Sequence, residues 1–94
     1  MNTTYDIETV LTITGPTSQY EMAKLARLHF VPTKGLDITL FPHGPTLKAE
    51  SVRYNLEMTS GSIYMEHLDC SGSDEGEFEA MEQAFQEAGW VQIS

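Results

Sequence analysis

The side chains with the clearest chemical character in this chain are carboxylates, and they concentrate toward its C-terminal end. Residues 54–94 contain nine Asp and Glu residues and no Lys or Arg, whereas residues 1–53 contain five acids and five bases. Carboxylates without neighbouring cations can accept hydrogen bonds from arginine and lysine side chains of another protein. This charge distribution predicts a basic partner surface, and it disfavours direct binding to nucleic acid or to an anionic membrane.

Three of these carboxylates fall along one edge of a predicted helix. At about 100° per residue, Glu75, Glu79 and Glu82 form a row beside the apolar positions, here called the acidic ridge. No lysine follows at the fourth position to neutralise them. A solvated helix face that serves only solubility is the alternative interpretation. The candidate partner-binding residues are Asp74, Glu75, Glu77, Glu79, Glu82 and Glu87.

Other reactive side chains do not form a recognisable catalytic or metal site. His67 and Cys70 make one loose pair of soft ligands, whereas a structural zinc site needs four. Residues 69–77 resemble a calcium loop but lack its glycine and its terminal glutamate. Nearby acids are expected to raise the pKa of the Cys70 thiol, which disfavours its use as a nucleophile. We therefore predict no catalytic residue, no metal and no cofactor, with a metal-dependent hydrolase using His67 and Cys70 as a minor alternative.

The acidic ridge must be positioned by the elements around it. Ser18 and Glu21 have the spacing of a capping box, and apolar residues follow at helical spacing, so a first helix is predicted over 19–29. Four other segments alternate apolar with polar residues, which is typical of strands. These segments are 5–13, 36–41, 52–58 and 63–68.

A second predicted helix carries the acidic ridge. Phe78, Met81 and Phe85 lie on one face of it, and Gly89 stands where a helix ends. Residues 90–93 are expected to form an edge strand or to pack under this helix. The order β-α-β-β-β-α-β predicts an α+β fold with two helices on one face of an antiparallel sheet, a variant of the ferredoxin-like plan.

Length and composition predict one acidic α+β domain over residues 1–94. A 40% hydrophobic content with nine aromatic residues is enough for a core. The single cysteine, Cys70, excludes an intramolecular disulfide. Without an export-signal pattern or a long apolar run, the chain is expected to be cytoplasmic, in the host cell if it is encoded by a phage.

One short segment carries a resemblance to a known class of proteins. Thr12-Ile13-Thr14-Gly15-Pro16, a strand turning through Gly-Pro into the predicted helix, is similar to the start of ferredoxin-like proteins carried by phages and plasmids. Size, charge and predicted topology resemble the small acidic proteins that these elements use against host defence, the anti-CRISPR and antirestriction class. The class has no shared functional residues, so the resemblance implies only a mode of action: an acidic surface that mimics nucleic acid or blocks a nuclease.

The leading hypothesis is accordingly a non-enzymatic inhibitor that binds the basic nucleic-acid-binding face of a host defence complex. The alternative is a small-ligand-sensing regulatory or dimerisation domain of the ferredoxin-like type. In that alternative, a homodimer would form through the edges of the sheet.

Overall fold

The computed structural model of the protein describes residues 3–55 and 57–94. Within these residues the chain forms seven strands and one helix, and the helix lies between the last two strands. Their bounds are β1 Tyr5–Thr14, β2 Gln19–Leu28, β3 Asp37–Thr39, β4 Thr46–Asn55, β5 Ser60–Met65, β6 Leu68–Asp69, α1 Glu75–Glu87 and β7 Val91–Gln92.

The strands form one mixed sheet that curls into a half-barrel. The strand order is β3-β4-β5-β1-β2-β7, and β6 continues along β1 beyond the end of β5. β1 pairs antiparallel with β2 but parallel with β5 and β6. The predicted α+β fold, with two helices on an antiparallel ferredoxin-like sheet, is therefore wrong: residues 3–55 and 57–94 are mostly β with a single helix.

The first predicted helix, residues 19–29, is strand β2. It pairs with β1 over the full length of both strands. Tyr20 and Met22 alternate into the core, whereas Leu25, which lies within the predicted helix, is 71% exposed. Ala, Leu, Met, Lys and Glu favour helix locally, but a propensity of a few tenths of a kcal/mol per residue is outweighed by pairing with a ten-residue neighbouring strand.

The turn between β1 and β2, residues 15–18, replaces the predicted helix start. The Gly15 amide donates to the Ser18 carbonyl at 2.7 Å, so Ser18 closes a turn and does not form a capping box with Glu21. A Cβ atom on Gly15 would lie 2.5 Å from the ring of Phe78. The helix therefore packs directly against this turn, because glycine leaves room for the ring.

The other predicted strands are confirmed with shifted bounds. The first is β1, and the segment 36–41 contains the shorter β3. The segment 52–58 overlaps only the end of β4, its last residues form a turn, and Leu56 lies outside the described residues. The segment 63–68 overlaps β5 and the start of β6.

The helix α1 forms as predicted, and its apolar side chains join the core formed by the strands. Phe78 and Phe85 are its buried residues, and Gly89 follows its end at φ 96°. The Phe85 ring makes an edge contact with Trp90 at a centroid distance of 5.6 Å. The Trp90 indole N–H donates to the Leu40 carbonyl at 3.0 Å, which ties the C-terminal segment to the far side of the half-barrel. Beyond Trp90, β7 pairs with β2 as an edge strand, as expected.

No helix in the part of the chain that the structure describes combines the length and the apolar character needed to cross a membrane. α1 itself has 13 residues, whereas a spanning helix needs about 20.

Candidate functional site

Three of the predicted partner-binding acids stabilise the N-terminal end of α1. The Asp74 carboxylate accepts hydrogen bonds from the amides of Gly76 and Glu77 at 3.1 and 3.4 Å, so Asp74 is the N-cap. Glu75 and Glu77 lie in the first turn, where negative charge interacts favourably with the helix dipole. Asp74, Glu75 and Glu77 therefore have a structural role in addition to their predicted partner-binding role.

The acidic ridge is a continuous structural feature. Glu75, Glu79 and Glu82 line a shallow pocket of about 100 Å³ between α1 and the β1–β2 turn. The opposite wall consists of residues 16–18. The structure thus brings together the three acids that the helical spacing grouped, and it adds the turn as a neighbour that sequence periodicity did not indicate.

The three ridge residues are not equivalent. Glu82 is half-buried, and its carboxylate accepts a hydrogen bond from the Tyr20 hydroxyl at 2.5 Å. Burial, followed by this hydrogen bond and the charge of Glu82, raises the pKa of Tyr20. Glu75 and Glu79 are exposed to solvent. Glu82 therefore links α1 to β2, while Glu75 and Glu79 are the ridge carboxylates accessible to another molecule.

Glu87 lies apart from the acidic ridge. It lines a separate open pocket with Phe41, Pro42 and Ala88, of about 380 Å³, and it accepts a hydrogen bond from the Gln83 amide at 3.2 Å. Glu87 is the last helical residue, where a negative charge opposes the helix dipole. The six predicted partner-binding residues therefore do not form one patch.

Two of the five basic residues form ion pairs with acids outside α1. The Arg27 guanidinium lies 3.2 Å from Asp6, and the Lys48 amine lies 2.8 Å from Asp37. These are the two ion pairs within residues 3–55 and 57–94, and all four residues come from the balanced first 53. The acids of α1 are consequently uncompensated within the described structure.

The alternative pair His67 and Cys70 makes structural contacts. The His67 ring nitrogen Nε2 lies 2.5 Å from the Thr14 hydroxyl, and the Cys70 thiol lies 3.9 Å from the Met81 sulfur. Burial, followed by the charge of Asp69, raises the pKa of Cys70, so the expected direction is confirmed with burial as the larger cause. Across the described ranges, no three His, Cys, Asp or Glu side chains converge as metal ligands.

A second feature, not predicted from the sequence, is an apolar cavity beside β2, β3 and Trp90. It has a volume of about 410 Å³ and is lined by residues of β1, β2, β3 and β5, by the segments before and after β3, and by Trp90. Its polar lining includes Thr9 and Lys24. Recognising β2 as a strand would have indicated it, because Lys24, Ala26 and Leu28 then share one face.

No protein-family model, no curated protein and no solved structure matches this chain. The resemblance to anti-defence proteins depended in part on a Gly-Pro turn leading into a helix, and that turn leads into β2 instead. Membership of that class stays a prediction, supported by charge and size.

Proposed function

We propose that this protein is a non-enzymatic binding protein whose acidic ridge docks on a basic surface of another protein. The observation that carries this proposal is the exposed pair Glu75 and Glu79, which has no Lys or Arg within ion-pair distance among the described residues. Like charges four residues apart on a helix destabilise it by a few tenths of a kcal/mol. A basic partner would remove that repulsion and add charge-assisted hydrogen bonds.

The target class that fits best is a nucleic-acid-handling complex. Proteins that bind DNA or RNA expose lysines and arginines spaced to contact phosphates, and a row of carboxylates on a helix can occupy the same cations. Binding there would exclude nucleic acid from the complex. The protein would then act as an inhibitor of a host defence complex in the host cytoplasm, as the resemblance to anti-CRISPR proteins implies.

The test is a pull-down from nuclease-treated bacterial lysate with two matched variants. Glu75→Lys/Glu79→Lys reverses the accessible part of the acidic ridge and leaves Glu82, with its Tyr20 contact, intact. The control is Glu50→Lys/Glu57→Lys, which reverses two exposed acids on β4 and in the turn after it. Both variants change the net charge of −9 by the same amount.

We expect wild type and control to retain the same nucleic-acid-binding protein, and the ridge variant to lose most of it. Added double-stranded DNA should compete with the retained protein, and salt should weaken its binding. If the ridge variant retains it as well as the control does, the acidic ridge is not the docking surface. If DNA does not compete, the target surface is not a nucleic-acid-binding face.

A further inference from the structure

The apolar cavity exists because α1 is shorter than the strands it covers. The 13 residues of α1 span about 20 Å, whereas the ten residues of β1 or β2 span about 33 Å. Phe78 packs against the turn at one end of the β1–β2 hairpin, and Trp90 follows the other end of the helix. No helix of the described residues covers the part of the sheet beyond Trp90, and the cavity of about 410 Å³ lies there.

Thr9 and Ala26 are among the smaller side chains that line this cavity. In the register of the hairpin Ile7 lies opposite Ala26, and Thr9 lies opposite Lys24. Thr9, 8% exposed, is the one buried polar residue in the described chain. The volume falls within the range of about 300 to 1,000 Å³ typical of small-molecule sites, which are apolar with a few polar groups that orient the ligand.

The two charged residues that line the cavity, Asp37 and Lys24, indicate which charge a ligand would carry. Asp37 lines the cavity, but its carboxylate is engaged by Lys48 at 2.8 Å. Lys24 also lines the cavity, is half-buried, and has no carboxylate within ion-pair distance among the described residues. Its Cε atom lies close to Gly89, at the C-terminal end of α1. A partly buried ammonium without a carboxylate is most favourably matched by an anion.

We propose that this cavity binds a small amphipathic carboxylate. The apolar body would lie against Ala26, Leu28 and Ile63, and the carboxylate would accept hydrogen bonds from Lys24, with the Thr9 hydroxyl nearby. This site is independent of the acidic ridge, because none of the three ridge residues lines the cavity.

The test compares three probes of equal chain length, below their micelle concentrations: decanoate, decan-1-ol and decylammonium. Binding is measured by isothermal titration calorimetry and by amide chemical-shift changes in ¹H–¹⁵N spectra. We expect decanoate to bind most tightly and decylammonium least, with shifts concentrated at Thr9, Ala26 and the Trp90 indole. Absence of shifts at these positions with saturating decanoate would overturn the proposal, and so would equal affinity for decylammonium.

Two variants and two controls separate the contributions. Lys24→Met keeps the aliphatic stem and should weaken decanoate binding about tenfold, with a smaller effect on decan-1-ol. Ala26→Leu fills the cavity and should abolish binding of both. Lys34→Met, which removes an exposed cation outside the cavity lining, and Glu75→Lys/Glu79→Lys should bind as wild type does. Unchanged decanoate affinity in a folded Lys24→Met variant would contradict the assigned role of Lys24, whatever the outcome at the acidic ridge.

Discussion

At the scale of single residues, the contact between Tyr20 and Glu82 joins the helix to the sheet. Tyr20 is 9% exposed, its ring contacts Phe78 edge-on, and its hydroxyl donates to Glu82. Because of this contact, the carboxylate of Glu82, one of the three ridge residues, already has a hydrogen-bond donor within the protein. Because Glu82 is engaged in this way, docking through Glu75 and Glu79 is a more specific hypothesis than docking through all six acids predicted from the sequence.

Tyr20→Phe should lower the free energy of unfolding at pH 8 by about 1 kcal/mol, the contribution of a partly exposed hydrogen bond to a charged acceptor. Because the pKa of Tyr20 is raised in the folded state, the neutral phenol stabilises the fold below the ordinary pKa of about 10. This contribution is lost as pH rises through the folded-state pKa, so the difference between wild type and variant should narrow above pH 10. Urea unfolding from pH 8 to 11 measures it.

The exposed Tyr64 provides the matched control for removing a phenol. Tyr64→Phe should cost less stability at pH 8, because the hydroxyl at that position has no carboxylate partner in the described structure. Equal losses in the two variants would show that the contact with Glu82 contributes nothing.

At the scale of elements, the position of α1 depends on the turn between β1 and β2. The Phe78 ring occupies the space that a side chain at position 15 would fill. Because Glu75 and Glu79 flank Phe78 on the same helix, this contact also sets the distance of the acidic ridge from the turn. The sequence showed a glycine before a proline, which indicates a turn, but it did not indicate what packs against that turn.

Gly15→Ala should destabilise the fold by about 2 kcal/mol, because the added methyl would lie 2.5 Å from the Phe78 ring and the core must shift to admit it. The loss of unfolding free energy in Gly15→Ala/Phe78→Leu should be smaller than the sum of the losses in the two single variants. Gly72→Ala is the control, since a methyl there meets nothing within 4 Å, and its effect should stay within about 0.5 kcal/mol. Thermal or urea unfolding of the four variants is sufficient, and strict additivity would argue against the contact.

At the scale of the whole molecule, the charge imbalance and the few ion pairs have opposite responses to salt. The pairs Arg27–Asp6 and Lys48–Asp37 are exposed, and such pairs contribute about 0 to 1 kcal/mol each. The net charge of −9, with nine acids and no Lys or Arg in residues 54–94, acts in the opposite direction because like charges repel one another in the folded state. Repulsion among these acids is the larger of the two effects, so screening should favour the folded state.

We therefore expect the Tm of the protein to rise between 0.01 and about 0.15 M NaCl, over which the Debye length falls from about 30 to 8 Å. Glu87→Gln, which removes the charge at the unfavourable end of the helix dipole, should raise the Tm at low salt and reduce the salt-dependent increase. Differential scanning calorimetry at fixed pH measures both. A Tm that falls over this range would mean that the two ion pairs outweigh the acidic excess.

Local signals in the sequence predicted α1 and β1 because periodicity and capping chemistry act within one element. Phe78, Phe85 and Gly89 identify the helix without any knowledge of its neighbours, and the acidic ridge follows from its spacing. The same reasoning failed for β2, since the residues that favour a helix there become a strand only when they pair with β1.

By itself, the sequence therefore determined the charges of the protein and the helix, α1, on which the acidic ridge lies. Charge is carried by residue type, and the ridge needs only the 3.6-residue period of a helix. Three features were decided only by the tertiary structure: the half-barrel, the hydrogen bond from Tyr20 to Glu82, and the cavity that Lys24 lines. These three features depend on strands that pair across long sequence separations, and the energy of that pairing is not visible in any single segment.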